Sequence, residues 1–349
     1  DFLFENKAPF VSPYTGAGPT TSLVGNLLEK GRSSAPYVDR FSSLVSLKVL
    51  LADGSIYESP SSFFKWGVGP YVDGLFVQSN LGIVLEATLL LSPKSTETMG
   101  FYVSIKPDVP LGVIIDLVRE CQQRLGSVFV SVSIQNIERA NTRSEVLHAN
   151  QYVHNEWLLL GTLGGEPLVV RAAGNFFKKS FKRVADRQFL FTRIKLDFIR
   201  AVGRLPFLSA RPYLFQRLEP VFRSIIYGAE GQGDGGLGFL SHNNTNYAGL
   251  LFVPIIVPTS GDVVSRFAAE ANVICDKYEI PFPVSFLSFT PTSLLFSLLI
   301  VFDPKLVHEK EKAHQCYAEL VELAEKNGCL LYRASTSAMS TVRNNHKNF

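Results

Sequence analysis

From Leu250 to Arg333 the apolar residues change period in an order that few folds accept. Leu250 to Ile256 reads as a strand, and Val264, Phe267, Ala271, Ile274 and Cys275 then fall on one face of a helix. Pro283 to Thr290 and Leu294 to Phe302 return to strand periodicity. Ala313, Cys316, Leu320, Leu323 and Ala324 form a second helical face, Gly328 ends it, and Cys329 to Arg333 reads as a last strand. The order β-α-β-β-α-β is the split βαβ plan, in which one antiparallel sheet is covered by two helices.

Upstream the same grammar begins again. Met99 to Lys106 is strand-like; Leu111, Ile114, Ile115, Val118 and Leu125 keep helical spacing up to Gly126; Val128 to Gln135 resumes as a strand. This unit is either part of a second copy or an extension of the same sheet. Between 136 and 227 helical stretches are expected over Phe176 to Ala185 and Phe189 to Val202, among irregular pieces. The Lys178, Lys179, Lys182, Arg183 cluster is interleaved with Phe176, Phe177 and Phe181, so it reads as the wet face of an amphipathic helix. Gly231, Gly233 and Gly236 spell a formal GxGxxG, but His242-Asn243-Asn244-Thr245 follows where a helix would have to open, so a dinucleotide site is rejected.

Composition excludes several classes. With 349 residues, 46% hydrophobic and 19% charged, the protein is large enough to bury two cores, and a net charge of +3 does not call for nucleic acid. No apolar run is long enough to span a membrane, and an intracellular, cytoplasmic location is expected, with a peroxisome or other organelle left open. Cys121, Cys275, Cys316 and Cys329 sit in apolar-periodic segments without CxxC spacing and read as reduced core thiols. No metal-ligand or P-loop motif occurs, and the scattered His148, His154, His308 and His314 read as surface or capping residues. The sequence starts at Asp1 with neither methionine nor signal peptide, so either a processed protein or a fragment is expected.

The first hundred residues carry the other pattern. Val45, Leu47, Val49 and Leu51 alternate before Asp53-Gly54 turns the backbone into Ile56, a β-hairpin. Residues 10 to 40 are rich in Gly, Pro, Ser and Thr ahead of a short helix over Leu23 to Lys30; such a loop either cradles a pyrophosphate or is plain surface. Residues 64 to 94 pass from Trp66-Gly67-Val68-Gly69-Pro70 through Gln78-Ser79-Asn80 and Gly82 into an apolar run.

Two of these stretches resemble the flavin-contacting segments of the vanillyl-alcohol oxidase and p-cresol methylhydroxylase family: Ser22-x-x-Gly25-Asn26-x-x-Glu29-x-Gly31 followed by Pro36-Tyr37-x-Asp39, and Gly74-Leu75-Phe76-x-Gln78-Ser79-Asn80-x-Gly82-Ile83. A third resemblance lies in Asp303-Pro304, Ala313-His314-x-Cys316-Tyr317-x-Glu319-Leu320 and Leu331-Tyr332-Arg333-Ala334-Ser335. It implies an α+β protein with a partial flavin domain (1–98), a cap with a large antiparallel sheet covered by helices (99–331) and a return segment (332–349). It also implies FAD as cofactor, with Pro19, Thr20, Thr21, Ser22, Gly25, Asn26, Glu29, Asn80, Gly82 and Ile83 binding it. Tyr332 and Arg333 would be catalytic, binding the phenolic oxygen of a para-substituted phenol and favouring its phenolate. The implied reaction moves a hydride to flavin N5; a homodimer or an electron-accepting protein is the implied partner.

Departures from the family pattern are specific. Ala17 stands where the family has an aspartate near the flavin, and Gly249 where it has a histidine bonded to it, with His242 and Tyr247 nearby as weaker anchors. Lys30-Gly31-Arg32-Ser33-Ser34 replaces a Gly- and Tyr-rich run, and Arg40 a histidine. A non-catalytic flavin-fold remnant that binds a ligand or partner is therefore the alternative, and oxidation of a non-phenolic alcohol or hydroxy acid a third reading.

Overall fold

The computed structural model describes residues 2–11, 22–31, 42–60, 67–141, 157–203, 249–335 and 339. These divide into two compact units, one ending at Ser95 and the other beginning at Thr96.

The first unit is small. After α1 (Phe2–Glu5) and β1 (Phe10–Val11) comes α2 (Leu23–Leu28), whose first turn is capped by Ser22: its hydroxyl accepts from the Gly25 amide at 3.0 Å. β2 (Leu44–Leu50) and β3 (Ile56–Glu58) form the expected hairpin, with Gly54 at φ 84° and the Asp53 carboxylate accepting from the Ser55 amide at 2.9 Å. A 3₁₀ turn, Asp73–Phe76, precedes β4 (Ile83–Leu89), and β5 (Ser92–Pro93) pairs back on β1. The three-stranded sheet β3-β2-β4 closes over Leu27, Leu44, Leu47, Val49 and Phe76. Buried Asp73 ties the turn to the hairpin, accepting from Tyr57 Oη at 2.8 Å and Ser59 Oγ at 2.6 Å.

In the second unit, β6 (Glu97–Ile105), α3 (Leu111–Leu125), β7 (Phe129–Asn136), α4 (Ile137–Asn141), β8 (Trp157–Gly165), α5 (Pro167–Phe181), β9 (Ala185–Thr192) and α6 (Arg193–Gly203) come first. β10 (Gly249–Pro258), α7 (Gly261–Lys277), β11 (Val284–Thr290), β12 (Ser293–Phe302), α8 (Val307–Lys326) and β13 (Leu330–Leu331) follow. All eight strands join one antiparallel sheet, ordered β13-β10-β12-β11-β7-β8-β6-β9.

That order settles the open question of the upstream unit. Counted within each half, the strands lie 4-1-3-2 in β10 to β13 and 4-1-3-2 again, in mirror sequence along the sheet, in β6 to β9. Two split βαβ copies therefore stand side by side, joined where each presents its second strand. The joint is short: Ser285, Phe286 and Leu287 pair with Gln135, Ile134 and Ser133. The Asn136 side chain lengthens it, donating to Phe282 O at 2.7 Å and accepting from Val284 N at 3.1 Å.

One sheet face is packed with the alternate residues Phe101, Val103, Ile105, Ile134, Leu159, Leu163, Val253, Ile255, Val284, Phe286, Phe296 and Leu298, under α3, α5, α7 and α8. Phe177 of α5 stacks on Phe101 at 4.3 Å between centroids and on Phe181 at 4.7 Å, while Lys178, Lys179 and Lys182 stay exposed, as the amphipathic reading required. The leading helices of the two copies meet at glycines. A Cβ on Gly112 would lie 2.9 Å from Gly261 O, and one on Gly261 only 2.4 Å from Gly112 O. The Asp116 carboxylate accepts from the Gly261 amide at 3.1 Å and pairs with Arg119, which donates to Thr259 O.

Three expectations need correction. The helix expected over Phe176 to Ala185 runs from Pro167 to Phe181, opened by proline at its first turn. Ala185 to Thr192, expected to be partly helical, is edge strand β9, paired along β6, and the helix begins only at Arg193. The last strand is also shorter than Cys329 to Arg333. All four cysteines are buried free thiols, as expected, and His308 and His314 are exposed. Among the described residues no helix is long and apolar enough to cross a membrane, and no acidic, histidine or cysteine cluster could hold a metal ion. The 228–238 glycines lie outside the described residues.

Candidate functional site

The two sequence segments singled out in the first unit meet there. The Gln78 amide donates to Leu28 O at 2.9 Å, joining the end of α2 to the turn before β4. Both sides of this junction hold a non-glycine residue in the left-handed region, Lys30 and Gln78, each at φ 50°. Such backbone persists only where its surroundings hold it, and it recurs at ligand sites. Ser22, Gly25, Glu29, Asn80 and Ile83 are exposed around it, Ile83 to 65%, alongside the apolar side chains of Leu23, Leu75 and Leu81. Asn26 is half-buried and its Oδ1 is enclosed without a hydrogen-bond donor.

The glycines here serve the fold itself. A Cβ on Gly31 would sit 1.7 Å from Asn26 Oδ1, and one on Gly82 would meet Val49 Cγ1 at 2.5 Å and Leu50 O at 2.9 Å. Gly25 is less crowded, its nearest neighbour being Ser22 Oγ at 3.2 Å. Pro19, Thr20, Thr21, Ala17 and the Pro36-Tyr37-Asp39 group lie outside the described residues.

In the second unit Tyr332 follows β13, and its amide donates to Pro254 O at 2.9 Å, so the residue continues the sheet beyond Leu331. Its ring meets the edge of Phe289 at 5.3 Å, and the Arg333 guanidinium lies 5.1 Å from the Tyr332 ring centroid on a face. Tyr332 is thus held between an aromatic edge and a cation, a pair of contacts each worth about 0.5–2 kcal/mol. Arg333 Nε is enclosed and has no hydrogen-bond acceptor. An unmade bond of this kind costs about 1–3 kcal/mol, which an anionic ligand oxygen would recover.

Tyr332 extends the rows of the sheet face away from the helices. Cross-strand register lines up Ser104, Leu158, Gln135, Ser285, Ser297 and Pro254 from β6 to β10, with Tyr332 bonded to the last. The neighbouring row is Tyr102, Leu160, Ser133, Leu287, Leu295 and Ile256. Sequence reasoning missed the serines and Gln135. The available signal was a serine inside each of two largely apolar, buried runs, Ser285 in VSFLSFT and Ser297 in SLLFSLLIVF.

Gly249 opens β10 against Phe302: a Cβ there would lie 2.7 Å from that ring and from its carbonyl oxygen. The backbone therefore leaves no room for a side group at the place where the family pattern has histidine. His242 and Tyr247 are outside the described residues.

No family model matches the sequence. The 4-cresol dehydrogenase [hydroxylating] flavoprotein subunit of Pseudomonas putida is 23% identical over 98% of this chain and 66% of its own length. The 1'-carboxy-chondrochloren decarboxylase of Chondromyces crocatus is 24% identical over 98% of this chain and 70% of its own. The protein thus spans about two thirds of the curated relatives it matches. Among solved structures, a 4-ethylphenol oxidase from Gulosibacter chungangensis superposes with a TM-score of 0.80 at 16% identity, covering 98% of this chain and 67% of that one. A p-cresol methylhydroxylase with substrate bound gives 0.78 at 21%, covering 99% and 67%. The α+β fold with its large antiparallel sheet is that of the p-cresol methylhydroxylase-type flavoproteins, and the relatives bear out the family resemblance read from the sequence.

Proposed function

We propose that this protein is the flavin-contacting and cap portion of an FAD-dependent oxidoreductase acting on a para-substituted phenol. One relative is by name the flavoprotein subunit of a hydroxylating dehydrogenase and a structural neighbour is a 4-ethylphenol oxidase, both of which support the reading, while a second relative is a decarboxylase. The observation that carries the reading is Arg333: an enclosed guanidinium donor without an acceptor, held against the face of Tyr332 at the margin of the sheet.

The first unit fits a flavin. Asn26 Oδ1 is a buried acceptor awaiting a donor such as a ring imide N–H, and the exposed Leu23, Leu81 and Ile83 offer apolar contact to a flat ring. Ser22, Gly25, Asn26, Glu29, Asn80, Gly82 and Ile83 would hold it, with Pro19, Thr20 and Thr21 upstream. FAD would supply the two-electron sink, accepting the hydride at N5.

The protein's own residues prepare the substrate. The Arg333 guanidinium stabilises the phenolate through a charge-assisted hydrogen bond, and Tyr332 orients the same oxygen. Ionisation pushes electron density to the para carbon and weakens the benzylic C–H bond that must break. Phe289 keeps the Tyr332 ring from swinging away. The electrons would pass to dioxygen or to an accepting protein; that the Pseudomonas putida relative is named as a subunit supports the latter.

The test is reconstitution. Purified protein incubated with FAD and desalted should retain flavin absorbance, and a 4-alkylphenol should bleach it anaerobically. Arg333→Ala should retain flavin yet bleach at least about 100-fold more slowly, the loss of a charged hydrogen bond to the reacting oxygen. No retained flavin would leave the protein as a ligand- or partner-binding remnant; bleaching by a hydroxy acid alone would move the substrate class.

A further inference from the structure

Ser285 and Ser297 stand opposite each other on β11 and β12, each 2% exposed, on the sheet face away from the helices, since Val284, Phe286, Phe296 and Leu298 fill the other. Gln135, 3% exposed, is the next residue along the same row. Its side-chain amide donates to Ser133 Oγ at 2.9 Å. Neither serine hydroxyl has a hydrogen-bond partner among the described residues. Elsewhere on this face the hydroxyls pair off, Ser131 with Thr162 at 2.9 Å. Neither oxygen is among the enclosed polar atoms, so each hydroxyl of these nearly buried residues keeps an opening to the sheet face. Two hydroxyls without partners, side by side in strands that could have held valine, are what a fold retains for a ligand rather than for packing.

We infer that the Ser285–Ser297 pair, with Gln135 behind it, is a subsite for a neutral oxygen on the para substituent of the phenol. The inference rests on the phenol reading above. From Tyr332, bonded to Pro254, the row reaches Ser297 after two strand spacings and Ser285 after three, about 10 and 15 Å between backbones, a span that the Tyr332 and Arg333 side chains and a phenol bridge together. A phenol held by its oxygen at Tyr332 and Arg333 and laid along the row brings its para substituent over this pair. The row from Ser104 to Pro254 contains no charged residue, so a carboxylate there would lose its hydration without gaining a counter-charge. A ketone, aldehyde, ether or alcohol oxygen accepts a serine hydrogen bond at no such cost. A plain alkyl substituent leaves both hydroxyls unmade.

Three phenols of one shape separate these cases: 4-hydroxyacetophenone, 4-isopropenylphenol and 4-hydroxybenzoate carry a carbonyl, an alkene and a carboxylate in the same trigonal outline. None has a benzylic hydrogen to lose, so equilibrium binding to the full-length protein by calorimetry is undisturbed by turnover. The ketone should bind tightest. Ser285→Ala and Ser297→Ala should each weaken it by about 5- to 10-fold, the value of one hydrogen bond, and change the alkene by less than about twofold. Ser297→Thr, which keeps the hydroxyl, should keep the preference for the ketone. Equal affinity for ketone and alkene, or equal losses for all three ligands in the serine variants, overturns the subsite while leaving the phenol site standing. Arg333→Ala should weaken all three alike. If none of the three binds, or if Arg333→Ala changes nothing, the phenol reading itself falls and the subsite with it.

Discussion

Gly261→Ala should destabilise the second unit although alanine is the better helix former. Gly261 is the first residue of α7, where the propensity gain over glycine is at most about 1 kcal/mol. Against it stands an added Cβ 2.4 Å from Gly112 O, 2.8 Å from Gly112 C and 2.6 Å from Asp116 Oδ2. Two of these are backbone atoms of α3, so relief requires the helices to part or α7 to tilt. Overpacking of this kind costs about 1–3 kcal/mol, and moving the Gly261 amide off Asp116 removes a charge-assisted bond worth about 1.5–3 kcal/mol. The net loss should be about 2–4 kcal/mol, a fall of roughly 5–15 °C for a unit this size. Gly112→Ala faces contacts of only 2.9–3.0 Å, one of them the mobile Ser265 hydroxyl, and should cost less. Because both changes fill the same gap, the double variant should lose less than the sum. Differential scanning calorimetry of the full-length protein, following the larger transition, reads all three. A Gly261→Ala protein as stable as the parent, or less affected than Gly112→Ala, would refute the reasoning that this contact spaces the two halves of the sheet.

The first unit should loosen in alkali. Burial, and then the hydrogen bond to Asp73, push Tyr57 up to about 12. A group that holds its proton more tightly when folded contributes full stability below its unfolded value near 10 and loses it as pH rises through 12. Urea midpoints measured across roughly pH 9 to 12 should therefore fall, and fall less in Tyr57→Phe; parallel profiles would count against the Asp73 network. The cysteines should resist an aromatic disulfide reagent at about pH 8 until the protein is unfolded. Burial drives the Cys121 thiol up to about 11 and raises Cys329 as well. Rapid modification of either in the folded protein would contradict the packing described.

How far the sequence could be read depended on whether a strand has one dry face or two. β2 alternates and turns at Asp53-Gly54, and β10 to β13 with their helices keep clean periods, so both were legible. β8 was not. Its run WLLLGTLGG is buried on both faces, so it carries no alternation, and Gly161 looks like a breaker. In fact a Cβ on Gly161 would lie 2.2 Å from Ser131 O and 2.3 Å from the Phe101 ring, so the glycine is what lets the central strand fit. β9 runs directly into α6 without a turn, and Phe189, Phe191 and Leu196 merge into one helical-looking stripe across the junction. The pairing of the two copies through β7 and β11 leaves no local mark at all. For the candidate site, Tyr332, Arg333 and the α2 segment were found by resemblance, whereas the serine pair became visible only when register placed two separate strands side by side.

The brevity of the β7–β11 joint has a consequence of its own. Three register pairs hold it, against ten between β10 and β12 and eight between β6 and β8. The Asn136 side chain pins one side of the seam and the Gly112–Gly261 touch the other, beneath a hydrophobic core that runs through both halves. Side-chain packing rather than the backbone ladder therefore joins the two copies, and Gln135 and Ser285 lie on that seam.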